Sequence, residues 1–153
     1  MKILILSDSH SHFENIYSIY NKENPDKVIF AGDYAKDGKE LSFAVDREED
    51  FYIVKGNCDF FDFHTKEIIE IELLNKKFLI THGHLFAVKK NYDIIQKESE
   101  NKGYDIVIFG HTHRAYYEKL KDIHYFNPGA AINGEYGILL LEDEKIEFIH
   151  KKL

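Results

Sequence analysis

Carboxylates, one amide and several imidazoles are gathered in five short polar clusters of this chain: Asp8-Ser9-His10, Gly32-Asp33, Gly56-Asn57-Cys58-Asp59, His82-Gly83-His84 and Gly110-His111-Thr112-His113. Each cluster directly follows an apolar run that reads as a strand. Parallel strands in an open sheet end on a common edge, so the loops after them can bring distant side chains into one pocket. These residue types at strand ends are what a two-metal hydrolytic centre requires, with oxygens and imidazole nitrogens as ligands and water as nucleophile.

No single cluster carries that reading. Asp8 and His10 alone also fit a helix N-cap beside a surface histidine. Gly32-Asp33 and Gly56-Asn57 also fit tight turns, which glycine, aspartate and asparagine dominate. The two histidine pairs, each at period two after a strand, shift the balance, because imidazole is the commonest metal ligand and ordinary surface histidines scatter. Taken jointly the clusters predict metal binding.

Composition sets the boundaries. The chain has 153 residues, 44% of them hydrophobic, which suffices for one domain over residues 1–153 and leaves no length for a second. A formal charge of −7, from 27 acidic against 20 basic side chains, and the absence of a basic stripe argue against long duplex nucleic acid as a partner. The only arginines are Arg47 and Arg114, and Arg114 beside His113 is the one placed to grip a phosphate. No apolar run reaches the roughly 20 residues needed to cross a bilayer, and Met1 to Leu6 pass into Ser7-Asp8 without a cleavage site. A cytoplasmic protein with no membrane partner is expected. The lone Cys58 has no partner for an internal disulfide and reads as structural.

The elements that must position the clusters follow from hydrophobic periodicity. Strands are predicted at Lys2–Leu6, Lys27–Ala31 and Phe51–Lys55, with a helix carried by Phe13, Ile16, Tyr17 and Tyr20 up to Asn24-Pro25 and a short one over Asp37–Val45. Glu67–Leu73 and Lys77–Thr81 read as a hairpin turning at Asn75-Lys76. A helix over Asn91–Lys102 stops at Gly103, before a strand at Asp105–Phe109. Strands at Ala115–Leu120, Ile123–Phe126, Tyr136–Glu142 and Lys145–His150 complete the chain. Phe60, Phe61 and Phe63 read as core or subunit-contact residues, with a substrate-pocket wall or base-stacking surface as the alternative, and His12, His64, His124 and His150 as surface or satisfied histidines. Helices early and hairpins late predict an α/β fold, a four-layer α/β/β/α sandwich with two mixed β-sheets.

The five clusters, in this order and spacing, resemble the calcineurin-like metallophosphoesterase superfamily, and specifically its small prokaryotic phosphodiesterase branch. The resemblance runs from Leu4 to about Asn133 and takes in Asn127-Pro128-Gly129. It implies two divalent metal ions, manganese first with nickel, iron, cobalt or zinc as the others, one held by Asp8, His10, Asp33 and His113, the second by Asp33, Asn57, His82 and His111. Asp33 would bridge. Two such ions contribute +4, and Asp8, Asp33 and a bridging hydroxide remove three, leaving roughly +1 for an anionic phosphoester. The implied activity is phosphodiester hydrolysis of a small phosphoester substrate by that hydroxide, with Asp33, Asn57, His82 and His84 in the catalytic group and Cys58, Asp59 and Arg114 as substrate contacts. Cys58 stands where larger members carry a histidine that protonates the leaving group, so His84, a water or no acid at all takes that role here. Ser11 and Ala130 depart from the branch by one small residue each. A phosphomonoesterase, a protein-interaction scaffold like the retromer subunit of this fold, and a homo-oligomeric state remain alongside.

Overall fold

Alternation within single strands builds the layers. In β1 (Lys2–Leu6) Ile3 and Ile5 point into one core and Leu4 and Leu6 into another, and all four are buried because the strand is covered on both faces. The computed structural model describes residues 1–153. After β1 come α1 (Phe13–Glu23), β2 (Lys27–Ala31), α2 (Ala35–Ala44), β3 (Phe51–Val54), β4 (Ile68–Leu73), β5 (Lys76–Thr81), α3 (Asp93–Lys102), β6 (Ile106–Ile108), β7 (Tyr116–Leu120), β8 (Ile123–Asn127), β9 (Glu135–Leu141) and β10 (Ile146–Lys152).

Two five-stranded sheets result, ordered β10-β9-β1-β2-β3 and β4-β5-β6-β8-β7. In the first sheet the parallel strands β1-β2-β3 run to one edge, with antiparallel β9 and β10 on the other side; in the second the parallel β5-β6-β8 are central, flanked by antiparallel β4 and β7. Ile3, Ile29, Phe78, Ile80, Ile106 and Phe126 pack between the sheets. The first sheet's outer face carries Leu4, Val28 and Phe30 against Ile16, Ile19 and Tyr20 of α1 and Leu41 of α2. Leu79, Val107 and Tyr125 of the second sheet meet Ile95 of α3. This is the α/β/β/α sandwich read from the sequence.

Differences from the expected boundaries have local causes. Tyr17 is exposed and Ile19 takes its place against the sheet. Helix α2 begins at Ala35, two residues early, because the Asp59 carboxylate accepts the Ala35 N–H at 2.9 Å and caps the helix from another loop. Asn91 stands before α3, its side chain accepting the Asp93 N–H at 3.1 Å. The β4–β5 turn falls on Leu74-Asn75, both at positive φ as a two-residue type I′ turn requires, one residue before the predicted position. Phe60, Phe61 and Phe63 are not core residues at all, being 76%, 91% and 79% exposed.

One buried carboxylate ties α1 to the first sheet. Glu23 receives Lys151 Nζ at 2.9 Å and Tyr136 Oη at 2.7 Å on one oxygen, and pairs with Lys2 Nζ at 2.8 Å on the other. Burial opposes its charge, but those three donors outweigh burial and hold its pKa down to about 2. A depressed carboxyl stabilises the fold above its unfolded pKa and loses that contribution as pH falls through the folded value. Glu23→Gln is therefore expected to lower unfolding free energy at pH 7 by roughly 2–3 kcal/mol. Urea titrations should show the gap to wild type closing between about pH 4.5 and pH 2, and a pH-independent gap would refute the account.

Candidate metal centre

The parallel strands of both sheets deliver their following loops to one edge, and two cross-sheet hydrogen bonds close it. His82, fully buried after β5, has its Nδ1 2.7 Å from the Ala31 carbonyl at the end of β2. A carbonyl only accepts, so Nδ1 carries the proton and Nε2 presents a lone pair inward. In the other direction, the His111 backbone N–H donates to Asp8 Oδ2 at 3.1 Å. Ser7 Oγ donates to the same oxygen at 2.6 Å.

That leaves Asp8 Oδ1 aimed inward, buried and without a hydrogen-bond partner. Around it stand His113 Nε2 at 3.1 Å, His82 Nε2 at 3.8 Å and His10 Nε2 at 4.0 Å. Asp33 is divided in the same way. Its Oδ1 accepts the Cys58 N–H at 2.9 Å, while Oδ2 lies 3.3 Å from His82 Nε2 and 3.8 Å from His10 Nε2. Imidazole nitrogens face each other in two places, His10 to His113 at 3.3 Å and His82 to His111 at 3.2 Å.

Two donor sets result, Asp8-His10-Asp33-His113 and Asp33-His82-His111, each with its ligand atoms within 4.8 Å of one another and with Asp33 in both. A buried carboxylate oxygen with no donor, facing nitrogens whose lone pairs converge, fits a cation and little else. The two sets could hold two divalent ions. Asn57, between Gly56 and Cys58, lies exposed at the rim with its amide nitrogen 3.6 Å from Cys58 Sγ.

The pKa shifts at this centre follow burial and the facing charges. Burial pushes the Asp8 carboxyl up despite the nearby His82 and the Ser7 hydrogen bond. Burial also opposes charge on Asp33, but the hydrogen bond and charge of His82, with the Cys58 N–H, hold it well below the usual carboxylate range. Burial disfavours charge on His82 as well, yet Asp33 and Asp8 raise its pKa. His111, desolvated and beside His82, falls to about 4. Burial and then Asp33 push the Cys58 thiol up to about 11.

The remaining predicted residues ring this centre. The His84 ring is 5.6 Å from that of His82 and 6.2 Å from that of His111, with burial and then His82 lowering its pKa. Its Nδ1 is buried without a partner and its Nε2 is 3.8 Å from Glu67. Both Asp59 oxygens accept backbone N–H groups, from Ala35 at 2.9 Å and Gly56 at 2.8 Å, so Asp59 fastens the Asn57 loop to α2. Arg114 is exposed, with no carboxylate within 4 Å. His124 and His150 are satisfied, bonding Tyr117 Oη at 3.0 Å and the Asn127 carbonyl at 2.8 Å.

Positioning residues went unread in the sequence. Asn127 donates to the Gly110 carbonyl at 2.8 Å and to Thr112 Oγ1 at 3.1 Å, clamping the loop that carries His111 and His113. Asp37 receives Ser9 Oγ at 2.6 Å and the Ser11 N–H at 3.0 Å, which fixes the loop of His10. Only Asn127 had a local signal, in its Asn-Pro-Gly element. Close approach also depends on Gly56 and Gly110: a Cβ on the first would stand 2.8 Å from the His82 ring, and on the second 2.8 Å from Asp8 Oδ2.

Residues 1–151 match the calcineurin-like phosphoesterase superfamily domain. YsnB of Bacillus subtilis strain 168, named a probable metallophosphoesterase, is 33% identical over 152 residues, covering 94% of this chain and 86% of YsnB. Phosphodiesterase MJ0936 of Methanocaldococcus jannaschii is 31% identical over 172 residues, covering 97% of this chain and 96% of that protein. A solved structure of a conserved Streptococcus pneumoniae TIGR4 protein superposes with a TM-score of 0.83 over 99% of this chain and 88% of that one at 24% identity, a likeness of fold.

The donor sets are held under backbone strain. Asp8, His10, Asp33, His111 and His113 have φ of 56°, 45°, 55°, 68° and 56°, in the left-handed region that side chains avoid, at about 1–3 kcal/mol each. His113→Gly and His113→Ala both delete the imidazole, but only glycine removes the strain. The metal-free glycine variant is expected to melt about 2–4 °C above the alanine variant by calorimetry, and equal melting temperatures would contradict the strain.

Proposed function

Because this chain belongs to the calcineurin-like phosphoesterase superfamily, we propose that it is a metal-dependent phosphodiesterase acting on a small phosphoester. The reading rests on Asp8 Oδ1, buried and unpartnered, and on Asp33 as the member common to both donor sets. Asp8, His10, Asp33 and His113 would hold one divalent ion and Asp33, His82 and His111 the other, with the exposed Asn57 at the rim as the expected fourth ligand of the second. Bound there, two divalent ions supply the charge that makes water a nucleophile near neutral pH and that offsets the charge on the phosphate. Mixed oxygen and nitrogen donors suit manganese, with iron, cobalt, nickel or zinc next.

The chain's own groups orient this centre. The Ala31 carbonyl keeps the proton on His82 Nδ1 and so keeps Nε2 a ligand. Ser7 and the His111 N–H hold Asp8 by one oxygen and free the other. Asp33 is pinned by the Cys58 N–H so that Oδ2 faces both donor sets.

Substrate charge favours a diester. A monoester dianion calls for several cationic donors around the phosphate, and beyond the donor sets this edge offers few, Arg114 and Lys89 beside His111. No dedicated proton donor stands out, and a general acid contributes about 10²–10⁴ in rate, so leaving groups that depart without one are favoured.

Manganese-loaded protein is expected to bind two equivalents of metal and to hydrolyse bis-p-nitrophenyl phosphate faster than p-nitrophenyl phosphate. Asp33→Ala and His82→Ala should lose metal by elemental analysis and at least about 100-fold in rate. Variants with full metal and full rate would refute the ligand assignment. A faster monoester reaction would make the protein a phosphatase, and two metals with no hydrolysis of either ester would favour the scaffold reading.

A further inference from the structure

Four strands end the two sheets, β3 and β10 in the first and β4 and β7 in the second, and each leaves a row of backbone groups without a strand partner. Three of them are poor templates for pairing. β3 and β7 are only 4 and 5 residues long, and β4 carries Glu70 and Glu72 with no basic residue, so two copies of it repel. β10 differs. It runs 7 residues, Ile146–Lys152, pairs with β9 alone and carries both signs of charge.

Hydrogen bonds at the two ends of the β9–β10 pair show which way each backbone group of β10 points. Glu142 and Lys145 exchange N–H···O bonds at 2.9 and 3.3 Å, and the Leu153 N–H donates to the Gly134 carbonyl at 2.9 Å. Between them the register is unbroken, with Glu147 opposite Leu140, Ile149 opposite Ile138 and Lys151 opposite Tyr136. Antiparallel bonds alternate, so Glu147, Ile149 and Lys151 bond β9. On the far side of β9, Leu141 and Met1 exchange bonds at 2.9 and 3.0 Å, as that alternation requires. The N–H and C=O groups of Ile146, Phe148, His150 and Lys152 therefore face outward.

A two-fold axis through Ile149 satisfies those groups and the side-chain charges together. It sets Ile146 opposite Lys152 of a second copy and Phe148 opposite His150, so that each outward N–H and C=O has a partner. Glu147 then meets Lys151 in the closer, non-hydrogen-bonded positions, and Ile149 meets its own mate. Moving the axis to Phe148 sets Lys145 against Lys151, and moving it to His150 sets Glu147 against Leu153. Only the Ile149 register gives the strand's one acid a basic partner. Lys151 bonds Glu23 at 2.9 Å and keeps further N–H groups, its side chain 39% exposed. Apolar side chains flank the edge on both faces: half-buried Ile149 on the α1 side and, between the sheets, Phe148 against Phe126 at 4.6 Å and exposed Tyr117 at 5.4 Å.

We propose that β10 is a self-association edge, at which two copies of this chain pair antiparallel about Ile149 and join their first sheets into one continuous sheet. A single paired strand buries less than a standard interface, so the dimer is weak, with a dissociation constant on the order of 10 µM. The same strand carries His150, whose Nε2 donates to the Asn127 carbonyl at 2.8 Å, so the paired edge adjoins the clamp on the loop of His111 and His113.

Sedimentation equilibrium of wild type is expected to show monomer and dimer exchanging near that value, and Glu147→Lys, which makes both cross-strand charge pairs repulsive, should weaken the dimer about tenfold. Glu147 is half-buried at the sheet edge with its carboxylate toward Lys145, so the variant should fold. Hydrogen exchange on wild type reads the register without any substitution. The Phe148 and His150 amides should slow at least about tenfold as concentration passes the dissociation constant, while the Glu147 and Ile149 amides, bonded to β9 throughout, change little. In a Cys58→Ser background with oxidised glutathione, Ile149→Cys should form a disulfide dimer, its Cα about 4.5 Å from its mate, whereas Lys152→Cys, about 20 Å from its own mate, should not. A protein that stays monomeric to about 1 mM overturns the proposal. So does a dimer whose Phe148 and His150 amides exchange equally fast at every concentration, or that Glu147→Lys leaves as tight as wild type, since another surface then holds it. Cross-linking of Lys152→Cys as readily as Ile149→Cys overturns the register and the proposal with it.

Discussion

The hydrogen bond between buried His82 and the Ala31 carbonyl is the constraint on which the edge of this molecule turns. It joins the end of β5 to the end of β2, so it sets the spacing of the two sheets where their loops meet. It also fixes the imidazole tautomer, and with it the direction of the free lone pair. The bond from the His111 N–H to Asp8 runs the opposite way across the same seam. One pair of bonds thus serves both the packing of the sandwich and the shape of the donor sets.

The groups nearby are arranged to keep two buried carboxylates and four imidazoles facing one another. Asp8 and Asp33 each spend one oxygen on neutral donors and aim the other inward, and left-handed backbone at five donor positions is tolerated in exchange. Such strain persists only where the surroundings over-determine it. Here Asn127, Asp37 and Asp59 do so, each tying a donor-bearing loop to an element that packs in the core. Rigid support of this kind lowers the reorganisation needed when charge develops on a bound phosphate.

The opposite strategy operates at the rim. There the loop after β3 is fastened by its own aspartates and nearby lysines while its phenylalanine rings are left in solvent. A charged edge and an exposed aromatic loop of contrasting polarity thus sit side by side.

Much of this was legible in the sequence, because hydrophobic periodicity is local and strong. The strands and helices, their layering and the five strand-end clusters all follow from spacing that a linear chain displays. The errors trace to forces that spacing does not encode. Helix α2 starts early because Asp59 caps it from another loop, and the β4–β5 turn falls on Leu74, a residue that turn statistics disfavour. Phe60, Phe61 and Phe63 read as core or subunit contact because they are large and apolar, and the core half of that reading fails, since their rings stand exposed on a loop.

Residue type and order by themselves determined the chemistry available to this protein: oxygens and imidazoles at the ends of parallel strands, enough for a pair of divalent ions. Which oxygen of Asp8 is free, which nitrogen of His82 faces the donor sets and which neighbours hold the loops were decided only by the packed molecule. The reason is that the deciding partners are distant in sequence, 17 residues for Asn127 and Gly110, 51 for His82 and Ala31 and 103 for His111 and Asp8, and such distances close only when the strands pack.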